Sequence, residues 1–224
     1  MFQKRQTQLC KSYISAFDLD RTLIQKNSAF CFGSYLIRKC TLPYTSFFST
    51  FFYHMKYRFF DLSLSDLHYH LFDKILRGRL LDTLSVHMQP FLEESISQIF
   101  YGPAMACLER AKKEKHYTVL LSSSPNFIVE PIAALLGVDE WKSSIYGVDE
   151  EGRLEKIDSL MQGEEKAEHL MHLSRHLSVK KEKIFAYSDS YHDLPFLLSA
   201  GTPIAVNPDR KLRLFSFQNH WHII

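Results

Sequence analysis

Two aspartates, Asp18 and Asp20, stand side by side at the end of an apolar run in the segment SAFDLDRTLIQ, residues 15–25. Carboxylates at the tip of a strand repel each other, and they cost stability unless a cation or a function holds them there. Another acidic pair, Asp189 and Asp193, follows a second apolar run late in the chain. This pattern predicts a cation site that gathers three or four carboxylates from distant parts of the sequence.

The elements that must position these aspartates are predicted to be short buried strands that alternate with helices. We expect strands at residues 12–17, 117–121, 184–187 and 202–206, because each is a short apolar run. We expect helices from Pro125 to a stop at Gly137, at 164–177 and at 191–199, and a hairpin turn at 149–152. This alternation indicates an α/β fold, a Rossmann-like parallel sheet with helices on both faces.

Polar clusters follow three of these strands, at residues 18–22, 122–124 and 188–193. Ligands of open parallel sheets sit beyond the carboxyl ends of the strands, so we expect the three clusters to meet there. Ser124 is expected to cap the following helix, whereas Ser122 at the strand end is a candidate for the site. Oxygen ligands favour magnesium over zinc, since no Cys/His set with zinc-like spacing accompanies them.

Residues 27–100 have a helical pattern throughout and form too long a segment for a simple crossover between strands. We therefore predict an inserted all-α cap domain at 27–100 and a catalytic core made of residues 1–26 and 101–224. The cap carries an aromatic stripe at helical spacing, which is Tyr44, Phe47, Phe48, Phe51, Phe52, Met55 and Phe59. Packing inside the cap is the preferred interpretation of the stripe. An apolar substrate wall or a membrane-touching face is the alternative.

Four segments of the chain resemble the motifs of the haloacid dehalogenase-like (HAD) superfamily of hydrolases. FDLDRTL matches the D-x-D-x-T-L signature, VLLSSSP resembles the second motif, GEEKAEHL the third and AYSDSYHDLPFL the fourth. The resemblance covers nearly the whole chain. Within the superfamily the chain resembles the branch that contains phosphoserine phosphatase, which has a helical cap between motifs one and two.

The resemblance implies a phosphatase mechanism with a magnesium ion as cofactor. Asp18 would attack phosphorus and form an aspartyl-phosphate, which splits one displacement into two easier ones. Asp20 would protonate the leaving alkoxide and then deprotonate the attacking water. The Asp18 carboxylate, the Asp20 backbone carbonyl and Asp189 would bind the metal.

The resemblance also assigns supporting roles. Ser122 and the backbone amide of Ser123 would bind phosphoryl oxygens, and Thr22 joins these substrate-binding residues by supporting the loop. Lys166 would neutralise charge on the transferred group. Asp193 would orient Lys166 or a metal-bound water. The fourth motif often has Asn where this chain has His192, so the role of His192 stays open.

One departure concerns the substrate. Phosphoserine phosphatases carry an acidic residue just after the first motif that helps to bind the substrate ammonium. The matching stretch here, IQKNS, has Lys26 and Asn27 and no acid, which argues against phosphoserine as the substrate.

We predict a phosphoric monoester hydrolase that acts on a small phosphorylated metabolite. A lipid-phosphate phosphatase resembling the phosphatidylglycerophosphatases and a phosphomutase remain alternatives, whereas a signalling receiver domain and a non-catalytic binding protein are disfavoured.

Composition narrows the partners and the compartment. The net charge of +2 is too small to indicate nucleic-acid binding. The four cysteines lack C-x-x-C spacing and are predicted to be free thiols in a reducing compartment. We therefore expect a cytoplasmic protein. No apolar run reaches the roughly 18 residues of a membrane span, so membrane contact would be peripheral, through the aromatic cap.

His169, His172 and His176 share a helix face and are interpreted as a solvated stripe, without a metal. The sequence predicts no oligomeric state.

Overall fold

The described strands form one mostly parallel sheet of seven in the computed structural model, which describes residues 11–45 and 63–224. They are β1 (Ile14–Phe17), β2 (Tyr117–Pro125), β3 (Glu140–Val148), β4 (Leu154–Ser159), β5 (Ile184–Ser188), β6 (Thr202–Ala205) and β7 (His222–Ile223). Their order in the sheet is β4-β3-β2-β1-β5-β6-β7. Only the pairing of β3 with β4 is antiparallel among these strands. The predicted α/β fold is confirmed.

Helices cover both faces of the sheet. The described part of residues 28–99 contains α1 (Ser28–Arg38), α2 (Leu64–Leu71), a π-helix (Phe72–Leu76), α3 (Leu81–Ser85), α4 (Met88–Glu94) and a 3-10 helix (Ile96–Ile99). The remainder contains α5 (Gly102–Lys113), α6 (Asn126–Leu136), α7 (Gly163–His176), α8 (Leu194–Leu198) and α9 (Arg210–Gln218). Short 3-10 helices lie at Lys181–Lys183 and Tyr191–Asp193.

Strand β1 is the centre of the molecule, and all four of its residues are buried. It pairs in parallel with both β2 and β5, and Phe17 lies opposite Leu120 and Tyr187. Parallel central strands are covered on both faces, which explains the nearly unbroken apolar run in the sequence. Because the three strands run in the same direction, the residues that follow them meet at one edge of the sheet.

The alternation of side chains along β1 divides the core into two layers. Phe17 joins a large cluster that contains residues of α1, α4, α5 and α6. Ile14 and Ala16 point to the opposite face and join a second cluster with residues of α7, α8 and α9. Successive strand residues face opposite sides, so one short strand anchors both layers.

The described part of residues 28–99 is helical, as the sequence predicts, and it packs onto the first of these layers. Phe91 of α4 contacts Phe32 and Tyr35 of α1, with ring centroids 5.2 and 5.6 Å apart. The bounds of a separate cap domain at 27–100 stay a prediction. Most of the aromatic stripe, from Phe47 to Phe59, lies outside the described residues, and Tyr44 is exposed. In the part of the chain that the structure describes, no helix is long and apolar enough to cross a membrane.

Two expectations about element ends are wrong. Strand β2 does not stop at residue 121 but continues to Pro125, and α6 starts at Asn126, so Ser124 does not cap that helix. Pairing of Pro125 with Ser144 on β3 prolongs the strand through this segment. The helix expected at 191–199 starts with a 3-10 turn, which the Ser190 hydroxyl caps by accepting from the His192 amide.

Other local predictions are confirmed. Gly137 ends α6 with φ of 59°, the left-handed conformation that glycine adopts without strain. Strands β3 and β4 form the expected hairpin. Its turn is closed by Asp149, whose carboxylate accepts hydrogen bonds from the amides of Glu151 and Arg153.

Gly163 lets α7 approach the segment that follows β5, and its replacement tests this packing. A Cβ atom on Gly163 would overlap the backbone carbonyl oxygen of His192. We expect Gly163→Ala to lower the free energy of unfolding by about 1–3 kcal/mol, which lowers the midpoint of thermal unfolding by roughly 2–12 °C. Gly102→Ala at the start of α5 is the matched control, since nothing lies within 4 Å of the added methyl. Equal midpoints for the two variants would contradict this close packing.

Candidate active site

The polar clusters predicted from the sequence meet at the carboxyl ends of β1, β2 and β5. A cavity of about 250 Å³ opens there. Its polar end is lined by Asp18, Asp20, Ser123, Ser124, Lys166, Asp189 and Asp193. The three strand ends therefore build one site from segments that lie far apart in the chain.

Lys166 is a buried cation at the polar end of this site. Its side chain is almost fully buried, and its Nζ donates hydrogen bonds to Asp18 Oδ1 at 2.7 Å and Asp193 Oδ2 at 2.8 Å. Asp193 Oδ2 also accepts from the Ser188 hydroxyl at 2.6 Å. Burial alone would lower the pKa of Lys166, but the two carboxylates raise it above its usual range, so the side chain is an ammonium. The contact expected between Asp193 and Lys166 is present.

Asp18 and Asp189 carry more negative charge than Lys166 can balance. Burial raises the pKa of Asp18 to about 7; the Lys166 ammonium opposes this shift, and Asp193 and Asp20 add to it. Burial, with Asp18 and Asp193, raises the pKa of Asp189 to about 8. Buried carboxylates in such surplus indicate a site that takes up further positive charge.

Asp20 is turned toward helix α1. Its Oδ1 accepts from the Ser28 amide at 2.6 Å, and its Oδ2 accepts from the Ser124 hydroxyl at 2.6 Å and the Asn27 side chain at 3.3 Å. Asn27 also caps α1 by accepting from the Phe30 amide. Burial raises the pKa of Asp20, and the hydrogen bonds from Ser124 and Ser28 oppose this shift.

Ser28 and Ser124 are contacts of the site that the sequence did not reveal. Ser28 donates from its hydroxyl to Ser124 Oγ at 3.0 Å, and Ser124 donates in turn to Asp20. Ser124 was expected to cap a helix, but it extends β2 instead. The Asn27-Ser28 pair before an apolar helical pattern was an available signal for a helix start. The contact of Ser28 with Ser124 joins residues 96 apart in the chain and has no local signal.

Ser122, Ser123 and Thr22 take different positions around the polar end. Ser123 lines the cavity. Ser122 is fully buried, and its hydroxyl accepts from the Ser124 amide at 3.1 Å, within the turn that ends β2. Thr22 is fully buried as well, and its hydroxyl has no hydrogen-bond partner among the described residues. The roles of Ser122 and Thr22 toward a phosphoryl group stay predictions.

The donor set fits a magnesium ion better than a metal held by side chains alone. Residues 11–45 and 63–224 contain no group of three His, Cys, Asp or Glu side chains that could hold a metal. Asp20 uses its carboxylate for α1, so only Asp18 and Asp189 offer carboxylates, and Asp20 offers its backbone carbonyl. Magnesium suits this set, because it is usually bound by one or two carboxylates together with waters and substrate phosphate.

The histidine stripe on α7 differs from its interpretation as a solvated stripe in one respect. His169 Nε2 lies 2.7 Å from Glu140 Oε1 on β3, so a carboxylate partner is present where none was expected. Tyr117 donates to the other oxygen of Glu140 at 2.9 Å. His172 and His176 are exposed, and their rings stack with centroids 6.5 Å apart. His192, by contrast, lines the cavity, and it is exposed at its mouth.

Comparisons with known proteins agree with this geometry. The family model described as haloacid dehalogenase-like hydrolase matches residues 16–198. The "Inhibition of morphological differentiation protein" of Streptomyces azureus is 30% identical over 220 residues, which cover 93% of this chain and 76% of that protein. The "Phosphoserine phosphatase SerB1" of Mycobacterium tuberculosis is 26% identical over 214 residues, 92% of this chain and 68% of that protein.

A solved structure supports the same fold. A protein of unknown function from Bordetella pertussis Tohama I superposes with a TM-score of 0.83 at 19% sequence identity, covering 96% of this chain and 98% of the other. The family match spans most of the chain and includes all four motif segments found in the sequence. The chain therefore belongs to the haloacid dehalogenase-like hydrolase family, and it is an enzyme of the hydrolase class.

Proposed function

We propose that the protein is a magnesium-dependent phosphatase that hydrolyses a small phosphomonoester through an aspartyl-phosphate on Asp18. The observation that carries this proposal is the buried ammonium of Lys166 between Asp18 and Asp193, beside Asp189. This arrangement orients the buried carboxylate of Asp18 at the polar end of the cavity and surrounds it with charge. The names of relatives, among them a phosphoserine phosphatase, support the same reaction class.

In the first step Asp18 attacks phosphorus and the bond from phosphorus to the leaving oxygen breaks. Lys166 holds Oδ1 of Asp18, which fixes the carboxylate and leaves its other oxygen for the attack. The ammonium also lies where charge develops on the transferred phosphoryl group, and so stabilises the transition state. Asp193 and Ser188 keep Lys166 in this position.

Asp20 supplies the proton that the leaving alkoxide needs. Its raised pKa favours the protonated acid nearer to neutral pH than for an ordinary aspartate. In the second step the ionised Asp20 takes a proton from a water molecule, which attacks phosphorus and releases phosphate from Asp18. Ser124 and Ser28 hold the Asp20 carboxylate for both steps.

Asp18, Asp189 and the backbone carbonyl of Asp20 would hold the magnesium ion. When bound, magnesium neutralises the surplus carboxylate charge and the charge of the substrate phosphate. A phosphomutase would use the same residues, and none of the described contacts favours it. The cytoplasmic location stays a prediction that rests on free thiols, and the described cysteines, Cys31, Cys40 and Cys107, are free.

Replacement of the nucleophile tests the mechanism directly. Asp18→Asn should lower kcat for p-nitrophenyl phosphate by at least about a thousandfold, because an amide cannot form the acyl-phosphate. The fold should survive, since Lys166 keeps its ion pair with Asp193. Asp82→Asn at an exposed position of α3 is the matched control and should retain full activity. Residual turnover near the wild-type rate in Asp18→Asn would refute the assignment.

Magnesium dependence has a readout in stability as well as in activity. We expect EDTA to abolish phosphate release, magnesium to restore it and calcium to substitute poorly, because calcium prefers more ligands and longer bonds. Magnesium at about 100 times its Kd should add about 2.7 kcal/mol to the free energy of unfolding, roughly 5–11 °C in the thermal midpoint. Full activity in metal-free buffer would contradict the proposed cofactor.

Because buried carboxylates outnumber the cations of the site, we expect Asp189 to affect the pH dependence of stability. The raised pKa means that the folded state holds this proton more tightly than the unfolded chain, so Asp189 destabilises the metal-free protein progressively as pH rises from about 4, where the unfolded chain ionises, to about 8. Asp189→Asn should therefore stabilise the metal-free protein by about 0.5–2 kcal/mol at pH above 8. The gain should shrink as pH falls from about 8 and vanish only near pH 4, and magnesium should no longer raise the midpoint. A destabilised variant at high pH would show that Asp189 is not a source of repulsion.

A further inference from the structure

The cavity that begins at Asp18 continues between the sheet and the helices of the 28–99 segment, and this second part is mainly apolar. Its walls are formed by side chains from several helices. They include Phe32 and Leu36 of α1, Leu71 of α2, Ile75 of the π-helix, Leu84 of α3 and Phe127 of α6. The phosphoryl group would occupy the polar end, where Asp18 and Lys166 lie. The apolar part is therefore the space open to the leaving group.

One polar pair lies among these apolar walls. His68 Nδ1 and the Tyr146 hydroxyl are 2.8 Å apart, and both residues line the cavity. The Tyr146 ring packs edge-on against Phe72 and near Phe127, with centroids 5.4 and 6.2 Å away. Burial lowers the pKa of His68 to about 4, so its imidazole is neutral at physiological pH.

A neutral imidazole and a phenol suit a neutral partner. After their mutual hydrogen bond, the pair still offers one donor and one acceptor to a third group. An ionised carboxylate or ammonium in this position would lose its hydration without a counter-charge from either residue, which costs several kcal/mol. The pair therefore favours a hydroxyl, carbonyl or amide over a charged group.

Asn27, in the stretch that follows the first motif, is also unsuited to a charged amino-acid head group. Asn27 uses its side-chain oxygen to cap α1 and its side-chain nitrogen to donate to Asp20. Both ends of this amide are occupied by the protein itself. Recognition of the leaving group consequently falls to the apolar walls and the His68–Tyr146 pair.

We propose that the substrate is the phosphomonoester of a small, largely apolar alcohol, and that His68 and Tyr146 determine specificity by hydrogen-bonding one neutral polar atom of that alcohol. This inference rests on the proposed phosphatase function. The cavity of about 250 Å³ has to hold the phosphoryl group as well as the alcohol, so the alcohol must be small.

The first experiment compares ethyl, butyl, hexyl and octyl phosphates as substrates of the wild-type, magnesium-loaded enzyme. Burial of each methylene should raise kcat/KM about three- to fourfold until the cavity is filled. Phosphoserine should be a poorer substrate than butyl phosphate. Values of kcat/KM that stay flat or fall along the series, with phosphoserine preferred, would overturn the inference while leaving the phosphatase function intact. No phosphate release from any ester, p-nitrophenyl phosphate included, would overturn both.

A pair of variants tests the apolar wall. Ile75→Thr replaces an apolar cavity-lining side chain by a shorter one that carries a hydroxyl, and it should flatten the dependence of kcat/KM on chain length. Lys74→Thr changes the exposed neighbouring residue, which does not line the cavity, and should keep the wild-type dependence. Inhibition by orthovanadate, which occupies only the phosphoryl end, should be unchanged in both. An unaltered dependence in Ile75→Thr would exclude this wall as the leaving-group site.

Tyr146→Phe tests the polar pair, because it removes one hydroxyl and retains the ring that packs on Phe72. The substrates are alkyl phosphates and their counterparts with a terminal hydroxyl. In the wild type, one chain length should gain about two- to tenfold in kcat/KM from the hydroxyl, as expected for one hydrogen bond. The gain should disappear in Tyr146→Phe, while orthovanadate inhibition stays the same. A gain that persists in Tyr146→Phe, or that no chain length shows in the wild type, would remove Tyr146 from the proposal.

Discussion

The buried ammonium of Lys166 is the interaction on which the site depends. It neutralises part of the charge of Asp18 and Asp193, and it does so with almost no contact with water. Removal of one partner of such a buried pair leaves an uncompensated charge, which costs about 3–5 kcal/mol. Lys166 and Asp18 lie 148 residues apart in the chain. The pair therefore forms only when β1 and α7 are correctly placed, and this placement requires the register of the whole sheet.

The sheet satisfies that requirement through its shortest central strand. The four residues of β1 contribute to both core layers and pair with β2 and β5. Two neighbouring strands and two core layers therefore fix the position of Asp18, which follows β1. The rigidity of this support matters because the site itself is destabilising. Asp189 and Asp18 have raised pKa values, and their ionised forms repel one another at the pH where a phosphatase needs them charged. The packed core offsets this repulsion, and a bound cation would relieve it.

The sequence predicted the parts of this arrangement that have a local cause. Apolar runs predict β1 and β5, the glycine at position 137 predicts the end of α6, and D-x-D at a strand end predicts the acidic site. The errors have a tertiary cause. Ser124 followed by Pro125 is the pattern of a helix start, but pairing with β3 competes for this backbone and extends β2. The contacts of His169 with Glu140 and of His68 with Tyr146 join separate elements, so the periodicity of the sequence does not predict them.

Asp20 links the two ends of the cavity. Its carboxylate accepts from the first amide of α1 and from Ser124 of β2, so the acid/base candidate is tied to the helix that also supplies Phe32 and Leu36 to the apolar wall. Any change in the position of α1 must alter both the hydrogen bonds of Asp20 and the space for the leaving group. In the proposed phosphatase, an alcohol that displaces α1 would consequently act on the proton donor without contact with Asp18. In the proposed phosphatase, recognition of the leaving alcohol and its protonation would in this way be coupled through α1, while His68 and Tyr146 contact the alcohol from other elements.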